Sequence, residues 1–159
     1  MTFTISGFTS RLTRRQFIGA TLMGFVLPLC SRGTAQASPE SAAAAMKAIL
    51  GKVPLRQGKV TLDMPPIAEN GNSVPLTVSV ESPMTAAEHV RSIHLFAEEN
   101  PLPNVAHFYL GPRAGKAQVS TRIRLFTSQK IIAVAAMSDG SFWSGSAEVV
   151  ITLAACIEE

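Results

Sequence analysis

Apolar and polar residues alternate in short runs from Gly58 onward, and this period of two constrains the fold more than any other feature of the sequence. In the clearest run, residues 74–80, valines and a leucine occupy every second position. Such alternation is typical of strands that bury one face and expose the other. The continuous apolar run at 131–137 is expected of a central strand. The predicted strands are 60–64, 74–80, 93–97, 106–110, 119–125, 131–137 and 147–153.

Turn-forming residues separate these runs, and they favour tight connections between strands. Seven short strands with no helical pattern between them predict an all-β domain, an antiparallel β-sandwich, over residues 53–153. Pro75 cannot donate a ladder hydrogen bond, so its strand is expected at an edge or with that side unpaired. Residues 140–143 are interpreted as a hairpin turn leading into a core aromatic, Trp143. The turn signals lie at 69–72, 82–83, 100–103, 111–112 and 138–141.

A short helix is predicted before the sandwich, over residues 38–52. Ser38 can cap it, Pro39 suits the first helical position, and Gly51 can end it. Because the alanine run in this segment is short, a flexible tether is the alternative.

Residues 1–37 are predicted to be a cleaved twin-arginine export signal. A retained membrane anchor is the alternative, but the apolar run of this segment is shorter than the roughly 20 residues that a span requires. Small residues before the cut suit a signal peptidase. The signal is identified by Arg14, Arg15 and Phe17, an apolar run over 18–29, and a cleavage site between Ala37 and Ser38.

Cleavage changes both the charge and the cysteine count of the chain. The formal charge of +3 includes four arginines of the signal, and removing them leaves ten basic against eleven acidic residues. This balance gives no reason to expect a nucleic-acid partner. Cys30 leaves with the signal, so Cys156 is alone in the mature chain and an inter-sheet disulfide is excluded. A single thiol in an exported protein is idle, forms an intermolecular crosslink, or is reactive.

Other candidate chemical groups do not form a recognisable catalytic or metal-binding motif. Three histidines, His89, His94 and His107, lack ligand spacing, although the last two could share a face of neighbouring strands; we therefore predict no metal site. Arg122 and Arg124 lie on the solvent side of a predicted strand, where they could bind an oxyanion but more often contact solvent or a partner. An oxidoreductase would usually need a second, resolving cysteine.

Cys156 differs because it lies three residues from the carboxyl end, just after the strand pattern ends at Leu153. Residues 154–159 are therefore predicted to extend beyond the sheet as an arm. A thiol on a short arm can enter the active site of another protein, which is the geometry of a covalent carrier.

Several stretches of the chain resemble SoxY, the sulfur-carrying subunit of the SoxYZ complex of thiosulfate oxidation. They occur in the same order as in SoxY and run through nearly the whole mature domain. The matching stretches are DMPPIAENGNSVP at 63–75, ESPM at 81–84, HVRSIHLFAEENPLP at 89–103, STRIRL at 120–125 and MSDGSFW at 137–143.

The resemblance implies an immunoglobulin-like sandwich and a periplasmic location. It also implies a SoxZ-like subunit as heterodimer partner, transient contact with periplasmic sulfur-oxidising enzymes, and no membrane association after signal cleavage. Family members carry sulfur covalently on a cysteine within a C-terminal G-G-C-G-G arm, and this cysteine corresponds to Cys156. No cofactor is implied apart from that covalently bound sulfur, and the chain would be a carrier subunit on which enzymes act.

The residues around the cysteine leave two hypotheses open. In place of the four glycines the arm has Ala154, Ala155, Ile157 and Glu158, which are bulkier and less free in backbone conformation. Negative charge at Glu158, Glu159 and the terminus also disfavours the thiolate. The first hypothesis is a sulfur carrier that uses Cys156. The second is a divergent SoxY paralogue that acts as a periplasmic protein-interaction module without sulfur carriage.

Overall fold

The computed structural model of the protein describes residues 38–153. The predicted export signal, with Arg14, Arg15, Phe17 and Ala37, lies outside the described residues and stays a prediction. A single turn of 3-10 helix, Pro112–Ala114, lies between two of the strands. In chain order the other elements are helix α1 (Pro39–Leu50) and strands β1 (Leu55–Gln57), β2 (Val60–Asp63), β3 (Ile67–Asn70), β4 (Val74–Val80), β5 (Val90–Ala97), β6 (Asn104–Tyr109), β7 (Gln118–Ile123), β8 (Gln129–Met137) and β9 (Phe142–Leu153).

The strands form two sheets, which confirms the predicted all-β sandwich. The larger sheet has the order β1-β9-β8-β5-β6, and the smaller sheet has the order β2-β4-β7. Neighbouring strands are antiparallel with two exceptions: the start of β9 pairs in parallel with β1, and its end pairs in parallel with β3. Strand β9 is therefore long because it takes two short partners one after the other along its length.

The core lies between the two sheets and is built from alternate residues of their strands. Every second residue of β4, from Val74 to Val80, is buried, as the alternation predicted. Ile93 and Leu95 of β5 and Ile131 of β8 are fully buried in the same cluster. Burying an aliphatic side chain of this size contributes roughly 1.5–3 kcal/mol, so each of these residues contributes substantially to the stability of the domain.

Pro75 lies in the central strand of the smaller sheet, so its expected position at a sheet edge is wrong. The alternative expectation, that no strand pairs with the side of Pro75 on which its nitrogen lies, agrees with the register of the sheet. Strand β2 ends at Asp63, opposite Thr77, and so stops short of the proline. On its other side Pro75 lies opposite Arg122 of β7. The ladder loses no donor because β2 offers no acceptor at this level.

Helix α1 forms as predicted, and the alternative of a tether is wrong for this segment. The hydroxyl of Ser38 accepts a hydrogen bond from the amide of Ser41 at 3.2 Å, and Gly51 ends the helix at φ 60°. Ala42 of α1 is fully buried, as are Phe96 of β5 and Val134 of β8. All three residues lie outside the main core cluster. The helix contacts β5 and thus covers the outer face of the larger sheet. The described part of the chain has no helix with the length and apolarity that crossing a membrane would need.

Candidate functional site: the root of the C-terminal arm

The arm that carries Cys156 lies outside the described residues, and so do its neighbours Ala154, Ala155, Ile157 and Glu158. What the structure describes is the segment from which the arm leaves, the end of strand β9. We call residues 150–153 the root of the arm. Its geometry decides where the cysteine can act.

Hydrogen bonds hold the root on both sides. On the β3 side the amide of Gly71 donates to the carbonyl of Leu153 at 3.0 Å, and the hydroxyl of Thr152 donates to the carbonyl of Glu69 at 3.1 Å. On the opposite side the amide of Ile151 donates to the hydroxyl of Ser128 at 2.8 Å. The last described residues of β9 are therefore held in place on both sides.

The number of residues beyond the root limits the reach of the thiol. Cys156 is three residues past Leu153, and an extended chain spans at most about 3.6 Å per residue. The Cα of Cys156 is therefore confined to within about 11 Å of the Cα of Leu153. Any group that reacts with the thiol must come to this end of the sandwich.

Two exposed arginines lie at the same end. Arg122 and Arg124 are both exposed, as predicted, and the guanidinium of Arg122 donates to the hydroxyl of Ser73 at 3.3 Å. Gly71 links the segment after β7 to the root. Its carbonyl accepts a hydrogen bond from the amide of Leu125 at 2.8 Å, and its amide donates to the carbonyl of Leu153. The structure thus brings these cations to the end of the sandwich from which the cysteine arm leaves.

The histidines are placed elsewhere. His94 and His107 lie opposite each other on β5 and β6, with stacked rings whose centroids are 6.1 Å apart, so the prediction of a shared face is confirmed. The imidazole of His89 forms a local 3.1 Å hydrogen bond with the carbonyl of Thr85. Within residues 38–153 the histidine, aspartate and glutamate side chains form no group of three that could hold a metal ion.

His94 borders a groove of about 240 Å³ between α1 and the larger sheet, which the sequence patterns did not reveal. Its Nε2 lies 3.0 Å from the hydroxyl of Ser92, and its Nδ1 is buried without a hydrogen-bond partner. Burial lowers the pKa of His94, and the nearby charge of His107 lowers it further. The neutral imidazole is therefore favoured here.

The stretch MSDGSFW at 137–143 has a structural role. The hydroxyl of Ser141 donates to the carboxylate of Asp139 at 2.7 Å and accepts from the indole of Trp143 at 3.2 Å. The hydrogen bonds from Ser141 lower the pKa of Asp139. Arg56 and Lys59 lie over the Trp143 ring, 5.6 and 5.0 Å from its centroid, which favours cation–π attraction. These contacts fix the β8–β9 connection and thereby the start of the strand that ends at the root.

A protein-family model described as "Sulfur oxidation protein SoxY" matches residues 46–156. The match covers more than two thirds of the chain, and its last residue is Cys156. A search of curated proteins gave no match.

Solved structures also resemble the chain. The sulfur carrier protein SoxY from Chlorobium limicola f thiosulfatophilum has 30% sequence identity and a TM-score of 0.61, and the alignment covers 73% of this chain and 100% of that one. A superoxide reductase (neelaredoxin) from Ignicoccus hospitalis has 18% identity and a TM-score of 0.53, over 76% of this chain and 98% of that one. A putative superoxide reductase from Thermotoga maritima has 19% identity and a TM-score of 0.51, over 62% and 93%. At these identities the two reductases share the fold alone.

Proposed function

The chain belongs to the SoxY family of sulfur oxidation proteins, and from this membership we propose that it is a periplasmic sulfur carrier that holds sulfur intermediates covalently on Cys156. One observation carries the proposal: the family match runs to residue 156, so the matched region ends on this cysteine. Cleavage after Ala37 would leave no second cysteine, so an adduct has one thiol on which to form.

Carriage requires a covalent bond between the cysteine sulfur and the cargo. When the Cys156 thiol loses its proton to solvent, its sulfur can form an S–S bond with the terminal sulfur of thiosulfate. Forming that bond releases two electrons, which a partner enzyme with a redox centre accepts. In this role the chain supplies a thiol and other proteins supply catalysis. That division agrees with the family and with the sulfur carrier protein among the solved structures.

Family membership implies a partner in sulfur oxidation, and we assign two kinds. A SoxZ-like subunit forms a heterodimer with this chain, and sulfur-oxidising enzymes bind the heterodimer transiently. The near-balanced charge of the mature chain supports protein partners over nucleic acid.

The proposed location is the periplasm, with export by the twin-arginine pathway. The support is in the sequence: the Arg14-Arg15 pair, an apolar run and small residues before Ser38. Amino-terminal sequencing of the exported protein should begin at Ser38. A protein that starts at Met1 in the membrane fraction would contradict this assignment.

Intact mass spectrometry tests the carrier function directly. The mature protein is purified from cells that oxidise thiosulfate, with and without reductant, beside a Cys156→Ala variant. Sulfur or sulfonate additions that are removed by reductant and absent from the variant are the expected result. An unmodified thiol, or only a disulfide-linked dimer, would contradict carriage.

A second candidate function rests on the residues around the cysteine. Ala155 and Ile157 stand where family members have glycine, and Glu158 adds a negative charge two residues from the sulfur. These features favour a SoxY paralogue that keeps the sandwich as a periplasmic interaction module. Replacing Ala154, Ala155, Ile157 and Glu158 together with glycine separates the two. Sulfur loading only in the glycine variant would identify the natural chain as the interaction module.

A further inference from the structure

We infer that the acidic end of the arm, Glu158 and Glu159, binds back to the sandwich at Arg122 and Arg124. We call these two arginines the arginine pair. The contact goes beyond the proposed function, because it depends only on the charges of the chain and on the length of the arm. It keeps Cys156 beside the sandwich while no partner protein is bound.

The arginine pair is exposed and is not neutralised by a neighbouring acid. Ile123 and Leu125 alternate with the two arginines and are buried, so both arginine side chains lie on the outer side of the smaller sheet, with Cα atoms roughly 7 Å apart. No carboxylate within residues 38–153 forms an ion pair with either arginine. Two such guanidinium groups attract an anion, and a carboxylate matches the guanidinium fork through two parallel hydrogen bonds.

Two backbone hydrogen bonds place the pair close to the root of the arm. The carbonyl of Leu153 accepts from the amide of Gly71 at 3.0 Å, and the carbonyl of Gly71 accepts from the amide of Leu125 at 2.8 Å. With standard backbone dimensions, these bonds limit the distance between the Cα atoms of Leu153 and Arg124 to at most about 14 Å. The positive charge therefore lies beside the residue from which the arm leaves.

A side-chain hydrogen bond holds Arg122 at the same end. Its guanidinium donates to the hydroxyl of Ser73 at 3.3 Å, and Ser73 lies only two residues after Gly71, which binds the root. A guanidinium has five N–H donors, so this contact leaves donors that a carboxylate can use.

The arm is long enough to bring its acids to the arginine pair. Glu158 and Glu159 are five and six residues past Leu153, so their Cα atoms can lie up to about 18 and 22 Å from the Cα of Leu153. Both limits exceed the distance of at most about 14 Å to Arg124, so the arm does not have to be fully extended. A tether this short also keeps the acids at a high effective concentration near the pair, which favours a weak contact.

Charge complementarity identifies the acidic end of the arm as the occupant. Glu158 and Glu159 are the charged side chains of residues 154–159, and both are opposite in sign to the arginine pair. Pairing also changes the surroundings of the thiol. Negative charge near Cys156 disfavours the thiolate, and arginines bound to that charge offset its effect.

The contact is weak enough to release the arm. Exposed ion pairs contribute little individually and are screened by salt, so the acids leave the arginine pair and return to it reversibly. A partner that takes up Cys156 displaces the acids from the pair, and the arm returns when the partner leaves.

Paramagnetic relaxation in NMR tests the contact on the chain from Ser38 to Glu159. A nitroxide is attached to Cys156, which is the one cysteine of this range. The relaxation enhancement is measured at the backbone amides of Ser73 and Leu125, which lie beside the arginine pair. It should be strong at about 0.01 M salt and fall at about 0.5 M, because the Debye length shortens from roughly 30 Å to less than 8 Å.

Charge reversal from either side should remove the contact. The two variants are Arg122→Glu with Arg124→Glu, and Glu158→Lys with Glu159→Lys. Loss of two exposed ion pairs lowers the bound population about fivefold, so the enhancement at low salt should fall by about that factor in each variant. The chain with all four substitutions has opposite charges again, with the signs exchanged, and should regain the enhancement.

The matched control is Arg113→Glu with Lys116→Glu, which changes the net charge by the same amount as reversal of the arginine pair. Both residues are exposed and precede the start of β7 at Gln118, whereas the arginine pair lies at the end of that strand. The enhancement in this control should equal that of the wild type.

Three results would overturn the inference. The first is an enhancement that neither charge reversal reduces. The second is a loss that the fourfold variant does not recover, which would show that the arginines and the acids act separately. The third is an equal loss in the control, which would assign the effect to net charge. None of these measurements depends on sulfur loading, so failure of the carrier function would produce none of these results.

Discussion

At Gly145 strand β9 lies close against the backbone of β2, and replacing this glycine by alanine should destabilise the domain by more than the addition of one methyl group suggests. The residue lies on β9 opposite Ala133, on the side that faces β2 of the smaller sheet. A Cβ at this position would overlap the carbonyl oxygen of Val60. It would lie 2.9 Å from the carbonyl carbon of Val60 and 3.2 Å from Cδ1 of Leu62.

The expected magnitude follows from these distances. Carbon atoms pack best at about 3.5 Å or more, so the 2.9 Å approach is short by roughly 0.6 Å. The obstacle is backbone, which cannot rotate away as a side chain can, and β2 must shift from β9 as a unit. Overpacking costs about 1–3 kcal/mol, and we expect the upper end, about 3 kcal/mol. With a urea m-value of about 2 kcal/mol/M, the midpoint falls by about 1.5 M.

The assay is urea unfolding followed by circular dichroism, with Gly111→Ala as the matched control. Gly111 has an extended backbone with φ −141°, and no atom lies within 4 Å of the position that an alanine Cβ would take, so the same substitution meets open space. The control should be neutral or stabilising by about 0.4–1 kcal/mol, because alanine restricts the unfolded chain. Equal midpoints for the two variants would refute the close approach at Gly145.

Three smaller perturbations test other parts of the structure. Burial, followed by the charge of His107, lowers the pKa of His94 below 6.5. The stabilisation that the neutral imidazole contributes is therefore fully present above pH 6.5, and it is lost as the pH falls from 6.5 through the lowered pKa. The melting temperature should therefore drop between about pH 8 and pH 5 and drop less in His94→Asn. Ser38→Ala removes the cap of α1 and should cost about 1 kcal/mol in urea unfolding, with Ser38→Asp as the neutral control. Ser128→Ala should raise hydrogen exchange of the Ile151 amide about fivefold, and unchanged exchange would contradict a fixed root.

The strands that sequence alone predicted are those with visible alternation. Residues 74–80 have a valine or leucine at every second position, and the strand has those bounds. Strand β9 begins at Phe142, five residues before the predicted start and within the predicted turn at 140–143. The prediction started too late because Ser144, Gly145 and Ser146 interrupt the alternation of apolar and polar residues, although this segment pairs with β8.

Strands β1 and β3 were missed for another reason. They have three and four residues, mostly polar, and owe their conformation to parallel pairing with β9. The proximity of Ile67 and Val150 was beyond sequence reasoning on the same grounds, since the two residues are far apart in the chain and meet only through that pairing. The proposed role of Cys156, in contrast, came from its position near the terminus and from the resemblance to SoxY.

The parallel pairing of β1 and β3 with β9 also has a consequence for how the protein is made. Both early strands emerge from the ribosome long before Phe142, and contacts of such sequence separation form late and slowly. Until β9 is synthesised, the larger sheet has β8 as an open edge and two strands without partners. The strand that completes folding is the strand that leads to Cys156. A prematurely terminated chain therefore lacks the thiol and the finished sandwich together, so a folded domain without the cysteine does not arise by truncation before β9.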